Sequence, residues 1–319
     1  MSSLPKETLS LVVPMYNEAE VLPQFFARIR PVLEGLDLEF EIVCVNDGSS
    51  DDTLALLQAE HKADPRVKIV DLSRNFGKEL ALTAGIDHAA GDAVIPIDAD
   101  LQDPPEIIPD MVRKWREGYE VVLGVRSDRQ ADSLLKRSSA NWFYHVMGKL
   151  GEIPIPPNAG DFRLMDRMVV DSLKLIKERT RFMKGVFAWV GYKTTSVSFS
   201  REHRAAGETT WKYWKLWNFA LEGIISFSNL PLKIWSYLGI LTSFCALIFM
   251  FYMIVRTLVA GIAVPGYAST MAVLLFFFGI ILICLGVIGE YLARIFIEVK
   301  QRPLYLVRRT FGLGEKESD

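Results

Sequence analysis

Asp98, Asp100 and Gln102 stand at alternate positions where the apolar run DAVIPID (92–98) gives out. Alternate residues leaving a strand can direct oxygen ligands toward one point. A set made only of carboxylate and amide oxygens suits a hard divalent cation, Mg²⁺ or Mn²⁺, bridging phosphates. The same D-x-D spacing occurs in solvated acidic loops, so the pair by itself leaves both readings open. Two further apolar runs end in polar groups, Pro14-Met15-Tyr16-Asn17-Glu18 and Asn46-Asp47-Gly48-Ser49-Ser50-Asp51-Asp52-Thr53. Within the second, Ser49, Ser50 or Asp51 has an ordinary explanation as the N-cap of a following helix. No strand end carries G-x-G-x-x-G, and G-x-x-x-x-G-K-[ST] is absent, so a nucleotide here would be held in another way. The four histidines and three cysteines lie scattered without neighbours at ligand spacing, which excludes the usual zinc sites and a disulfide framework.

Those polar groups need elements to bring them together. From Leu9 to Val125, the apolar runs 10–14, 41–46, 67–72, 92–98 and 119–125 alternate with helical patterns around 18–34, 51–63, 77–90 and 105–117. Strands separated by helices of this length predict βαβ units. The expected fold is an α/β domain with a Rossmann-like, mostly parallel sheet covered by helices on both faces. In such a sheet the ligand lies outside the carboxyl ends of the strands, where the polar groups above are found.

Half of the 319 residues are hydrophobic and the net charge is only −2, yet residues 1–110 hold 8 Lys+Arg against 21 Asp+Glu, and residues 111–319 hold 28 against 17. Different partners are expected for the acidic and the basic half. Ile234 to Val255 is free of charge over 22 residues and long enough to cross a bilayer; Met271 to Gly289 is similarly apolar. Spans are expected at about 234–256 and 271–293, within a transmembrane hairpin over 233–297. The loop 260–270 is uncharged, whereas Lys233 precedes the first span and Arg294, Lys300, Arg302, Arg308 and Arg309 follow the second. The positive-inside rule then puts both termini and the catalytic domain in the cytoplasm, as in an integral protein of the inner membrane. The N-terminus shows no apolar signal-peptide core. Residues 211–232 predict a helix with a narrow polar stripe and Trp211, Trp214 and Trp217, suited to lying at the headgroup level or to packing on the catalytic domain. The organisation expected is a domain at 1–210, an interfacial helix at 211–232, the hairpin, and a basic cytoplasmic tail at 298–319.

Taken in order, VVPMYNE, NDGSSDDT, SRNFGKELALTAGID and DADLQDPPE resemble a family 2 glycosyltransferase of GT-A fold over residues 9 to about 215. The resemblance implies that Pro14, Tyr16 and Glu18 border the nucleoside and that Asp47 reaches the base. It also implies that Lys78 and Asp98 belong to the nucleotide-sugar site, and that Asp98, Asp100 and Gln102 hold Mg²⁺ or Mn²⁺ on the diphosphate. Arg126, the Lys136–Asn141 stretch, Gly160-Asp161-Phe162-Arg163-Leu164 and Arg201-x-x-Arg204-x-x-Gly207, followed by the membrane segments, resemble polyprenyl-phosphate glycosyltransferases. The nearest likeness is to bacterial enzymes that glucosylate undecaprenyl phosphate from UDP-glucose. Dolichol-phosphate mannosyl synthases, which use GDP-mannose, are more distant, and they tend to carry a Ser-Gly pair before Phe-Arg where this chain has Asn158-Ala159-Gly160-Asp161. A processive polysaccharide synthase is disfavoured by the absence of Q-x-x-R-W.

A lipid phosphate meeting a nucleotide diphosphate needs cations for the acceptor and a metal for the leaving group. Arg126, Arg137 and Arg204, with Ser139, are expected to bind the acceptor phosphate, because guanidinium forks match phosphate oxygens. Since the second phosphate pKa is near 6, the nucleophile is already largely deprotonated at neutral pH. Asp161 is therefore expected to act in catalysis, beside Asp100, as a positioning group or weak base. A single displacement would invert the anomeric centre. The implied partners are the nucleotide-sugar, polyprenyl phosphate and the membrane, with no nucleic acid; Gly279, Gly286 and Gly289 leave room for helix association in a homo-oligomer.

Overall fold

The computed structural model describes residues 6–126, 159–179 and 183–199, scattered helical positions between 237 and 259, and residues 266–313. Arg137, Ser139, Arg204 and the expected interfacial helix at 211–232 lie outside the described residues.

All five expected strands are present: β1 (Thr8–Met15), β2 (Glu39–Asn46), β3 (Val67–Leu72), β4 (Ala93–Pro96) and β5 (Val121–Arg126). Between them run α1 (Leu22–Glu34), α2 (Thr53–Ala63), α3 (Lys78–His88) and α4 (Ile108–Arg116). Beyond them lie β6 (Ala159–Asp166), α5 (Arg167–Leu175), α6 (Met183–Trp189), β7 (Thr194–Phe199), α7 (Tyr267–Lys300) and β8 (Val307–Phe311).

The strands form one sheet in the order β7-β5-β6-β4-β1-β2-β3-β8. β1 pairs in parallel with β2 and β4, as do β2 with β3 and β5 with β7; β6 runs antiparallel between β4 and β5, and β8 antiparallel along the outer edge of β3. Six of the eight strands run in one direction, as expected of a mostly parallel sheet, and β6 and β8 run against them and make the sheet mixed. An antiparallel strand inside a sheet buries both faces just as a parallel one does, so its residues carry no mark of direction. Moreover, the stretch expected to be a basic tail contributes β8, an edge strand. Charged residues on an edge strand block further pairing, which makes such a strand look like a tail.

Side chains alternate across the sheet with period two, and both faces are apolar. Leu9, Leu11 and Val13 of β1 pack with Phe25, Phe26, Ile29 and Leu33 of α1 and with Ile108 and Met111 of α4. On the other face, Val12, Val43, Val45 and Val70 pack with Ala81, Leu82 and Ala84 of α3 and with Val169 and Val170 of α5. Helices thus cover both faces, as expected. Gly85 lets α3 lie close to the sheet: a Cβ there would sit 2.3 Å from Val12 Cγ1.

One polar group is built into this core away from the strand ends that carry the chemistry. Glu41, 5% exposed, accepts from Ser10 Oγ at 2.5 Å, from the Ala90 amide at 2.7 Å and from Lys68 Nζ. Burial by itself would raise the pKa of this carboxyl, but the bonds from Lys68, Ser10 and Ala90 outweigh it and hold it below its ordinary value. A lowered folded-state pKa contributes stability above the unfolded value of about 4.3, and that stability is lost as pH falls through the folded value. Glu41→Gln should cost about 1.5–3 kcal/mol at pH 7, the worth of a charged hydrogen bond. The gap in melting temperature from the unaltered protein should close below about pH 4. Thermal melts across pH in detergent check this; a gap that stays constant would refute the assignment.

α7 contains an apolar stretch, Phe276–Lys300, of 25 residues, long enough to cross a membrane and with none of its most apolar window buried. The expected second span, 271–293, falls within α7. Positions described between 237 and 259 are helical, with Leu241, Phe244, Phe251 and Leu258 exposed.

Candidate active site

The carboxyl ends of β1, β2 and β4 open into a cleft of about 450 Å³. Two antiparallel crossings in succession, β4 to β6 to β5, bring the end of β5 and the beginning of β6 to the same edge. Pro14, Tyr16, Glu18, Asp47, Lys78, Asp98, Asp100, Arg126 and Asp161 all line the cleft. Every described residue expected to act here is thus in one place except Gln102.

The floor is an ion cluster. Lys78, the first residue of α3, donates from Nζ to Asp98 Oδ2 at 2.7 Å and lies 3.2 Å from Asp161 Oδ2. Burial works against its charge, but Asp98 and Asp161 outweigh it, so the ammonium is held above the ordinary lysine value. Asp98 leaves β4 and Asp161 enters β6, so the contact joins residues 63 positions apart that neither periodicity nor motif spacing relates.

Asp100 accepts from the Gln102 amide at 3.1 Å, and Leu101 between them adopts φ +57°, the left-handed region. A branched side chain there is strained, and such strain gathers at functional turns. Strand alternation ends at this turn. Gln102 and Asp103 are both buried, 9% and 7% exposed; Gln102 Oε1 has no hydrogen-bond partner among the described residues, and Asp103 lines the cleft whereas Gln102 does not. Asp103, missed in the sequence, lies 3.7 Å from an Arg126 guanidinium nitrogen. Its signal was there to use: it is the third carboxylate of the same D-A-D-L-Q-D segment.

Asp47 is 2% exposed and has both oxygens engaged: Oδ1 accepts from the Phe76 amide at 2.7 Å and Oδ2 from the Gly77 amide at 2.9 Å. Burial raises its pKa, more than these two bonds and Arg74 lower it. Its visible work is bracing the loop between β3 and α3, which contributes Asn75 and Gly77 to the cleft. Gly48 makes that contact possible, with φ +66° and space for a Cβ only 2.4 Å from the Arg74 backbone. The neighbouring loop is tied in the same way, Asn17 Oδ1 accepting from the Ser50 amide at 2.8 Å and Asp51 from the Ala19 and Thr53 amides at 3.2 and 3.1 Å. Tyr16 stands half exposed at the rim.

Asp98 and Asp100 present hard oxygen donors to the cleft. Among the described residues no three His, Cys, Asp or Glu side chains converge as a closed metal cage. An open site with two carboxylates is what a cation completed by substrate phosphates needs, so these residues fit Mg²⁺ or Mn²⁺. Gln102 is not among the residues that line the cleft.

Comparison with known proteins agrees with the geometry. The family model described as Glycosyl transferase family 2 matches residues 10–174, and the GtrB C-terminal hairpin model matches residues 230–295. The chain is 58% identical over 305 residues to an uncharacterised glycosyltransferase of Synechocystis sp., covering 96% of each. It is 50% identical over 301 residues to a prophage bactoprenol glucosyl transferase homolog of Escherichia coli, covering 94% of this chain and 98% of that one. With the bactoprenol glucosyl transferase of Shigella phage SfII it shares 49% identity over 302 residues, 95% and 98% of the two chains. Matches of this extent, joined to a mixed sheet whose strand ends gather an acidic cleft, mean that the chain belongs to glycosyltransferase family 2 and is a glycosyltransferase built on the GT-A fold.

Proposed function

We propose that the chain transfers glucose from UDP-glucose to undecaprenyl phosphate, with inversion, giving polyprenyl-phosphate glucose and UDP. The relatives named as bactoprenol glucosyl transferases, aligned over nearly the whole chain, support the sugar and the lipid. The observation that carries the reading is that Arg126 shares one cleft with Asp98, Asp100, Lys78 and Asp161. A site for two anions needs such a mixture of charges.

The acceptor phosphate oxygen attacks the anomeric carbon as the bond to the diphosphate breaks, and an in-line displacement without a covalent intermediate inverts the centre. Arg126 holds the acceptor phosphate, with Arg137, Ser139 and Arg204 assigned to the same task. Asp161, held by Lys78, is assigned as a positioning group or weak base on the acceptor side, and little proton transfer is required of it because the phosphate is already ionised near neutrality. Lys78 keeps Asp98 and Asp161 at fixed separation and supplies positive charge where the diphosphate departs. The Tyr16 ring offers a stacking face to the base, a contact worth about 1–3 kcal/mol. A divalent cation on Asp98 and Asp100 would neutralise charge on the leaving diphosphate.

Purified protein in detergent, offered UDP-glucose or GDP-mannose with undecaprenyl phosphate, tests the assignment: lipid-linked glucose is expected, and product from GDP-mannose alone would overturn the donor. EDTA should reduce turnover to background and Mg²⁺ or Mn²⁺ restore it; full turnover in chelator would remove the cation from the scheme. We place two spans in the membrane with both ends cytoplasmic, a reading supported by the charge distribution and the hairpin match. A reporter after Asp319 should read as cytoplasmic and one near Gly266 as external. The opposite labelling would reverse the topology.

A further inference from the structure

β8 begins seven residues after the membrane-crossing helix ends, and it grips the loop that forms one wall of the cleft. Antiparallel pairing matches Ile69 with Phe311, Val70 with Thr310 and Asp71 with Arg309, and then skips to Leu72 with Val307. Arg308 is the extra residue of a bulge. Bulges break the ladder locally and re-aim the side chain they carry. Here the Arg308 guanidinium turns back over β3: Nη2 donates to the Ser73 carbonyl at 2.6 Å, and Nη1 lies 4.0 Å from Asp71 Oδ2. Asp71 is 1% exposed, its Oδ1 accepts from Asn46 Nδ2 at 2.8 Å, and no hydrogen bond reaches Oδ2 among the described residues, so Arg308 is the cation facing that buried oxygen.

Ser73 is the first residue beyond β3, and both its backbone groups are taken by the C-terminal segment. Its amide donates to the Leu306 carbonyl at 2.8 Å and its carbonyl accepts from Arg308. At the other end of the same loop, Asp47 holds the amides of Phe76 and Gly77. The loop is thus clamped at both ends, and Asn75 between the clamps lines the cleft. Tyr305 adds a second anchor, its hydroxyl donating to Asp87 Oδ2 at 2.7 Å near the end of α3. Phe311 packs against the core.

We propose that β8 is a strap by which the segment following the membrane helix sets the donor-side loop 73–77, and that Arg308 is its positioning residue for nucleotide-sugar binding. The inference rests on reading the cleft as the UDP-glucose site. Arg308 does not itself line the cleft, so its effect must pass through Ser73. Substitution should therefore alter donor affinity, leave the acceptor KM in place, and loosen the loop.

The test uses the full chain in detergent. Arg308→Ala should raise the Kd and KM for UDP-glucose about tenfold with the KM for undecaprenyl phosphate within twofold of the unaltered value, and Arg308→Lys should recover part of the loss, since an ammonium keeps the charge without the planar fork. Arg309→Ala, which removes the same charge from the neighbouring paired position, should leave donor binding unchanged. Hydrogen exchange gives a readout independent of turnover: the Phe76 and Gly77 amides should exchange faster in Arg308→Ala than in Arg309→Ala. Unchanged donor Kd and unchanged exchange in Arg308→Ala would overturn the strap, as would equal effects from the two arginines. If the unaltered protein failed to bind UDP-glucose, the functional reading would fall, while the exchange comparison would still decide whether the strap sets the loop.

Discussion

Asp100→Asn should lower kcat at least about a thousandfold, equivalent to roughly 4 kcal/mol of transition-state stabilisation, while changing UDP-glucose affinity far less. Asp100 has two jobs in the structure that this substitution separates. Its Oδ1 accepts from the Gln102 amide and so supports the turn at left-handed Leu101. It also brings a negative oxygen to the cleft beside Asp98. An asparagine keeps an acceptor for the amide and the shape of the turn but removes the charge, so a large loss of kcat assigns the effect to charge. Charge developing on the leaving diphosphate exists mainly in the transition state, and a group that answers to it appears in kcat more than in KM. Asp100→Ala, which loses both jobs, should be no more active and less stable. Asparagine variants that kept turnover within tenfold would show that Asp100 only shapes the turn. Steady-state kinetics and donor titration on the same preparations decide between these outcomes.

Lys78→Ala should reduce kcat/KM by about two to three orders of magnitude, the range found when one charge-stabilising donor is removed from an active site. The ammonium reaches both Asp98 and Asp161, at 2.7 and 3.2 Å. Without it, two carboxylates face a diphosphate and a lipid phosphate with less opposing charge, and the spacing between β4 and β6 at the cleft loses its bridge. Lys78→Arg should restore part of the activity, since charge is kept but a planar fork cannot occupy the same point between two carboxylates. The pKa of Lys78 is held above the ordinary value, so its positive charge persists up to at least about pH 10. Raising the pH from 7 to 9 should therefore produce no loss of kcat/KM traceable to this group. A basic limb near neutrality that vanished in Lys78→Arg would contradict this assignment, and activity of Lys78→Ala within threefold of the unaltered protein would remove Lys78 from the mechanism.

Sequence alone determined what depends on local pattern and residue type. The five leading strands were legible because runs such as SLVVP and EIVCVN are apolar on both faces, which follows from burial between two layers of helices. D-A-D marked the ligand edge only in company with the polar groups that end the other strands, since such a pair alone also occurs in solvated loops, and charge-free stretches marked candidate spans because length and absence of charge are what a spanning helix needs. Tertiary structure decided whatever depends on direction, register or distant partners. The direction of β6 left no trace in its composition, yet that direction puts Asp161 against Lys78 and Asp98. Alternation assigned Gln102 to the cleft, but after the left-handed Leu101 it is Asp103, and not Gln102, that lines it. Asp47 was legible as a site residue, but not that its oxygens are spent on the Phe76 and Gly77 amides, because those bonds form only when two loops meet across the sheet. The basic C-terminal stretch has the composition of a solvated tail, and only the unpaired edge of β3 makes it a strand. Pairing energy comes from the partner's backbone, which the segment's own side chains do not encode.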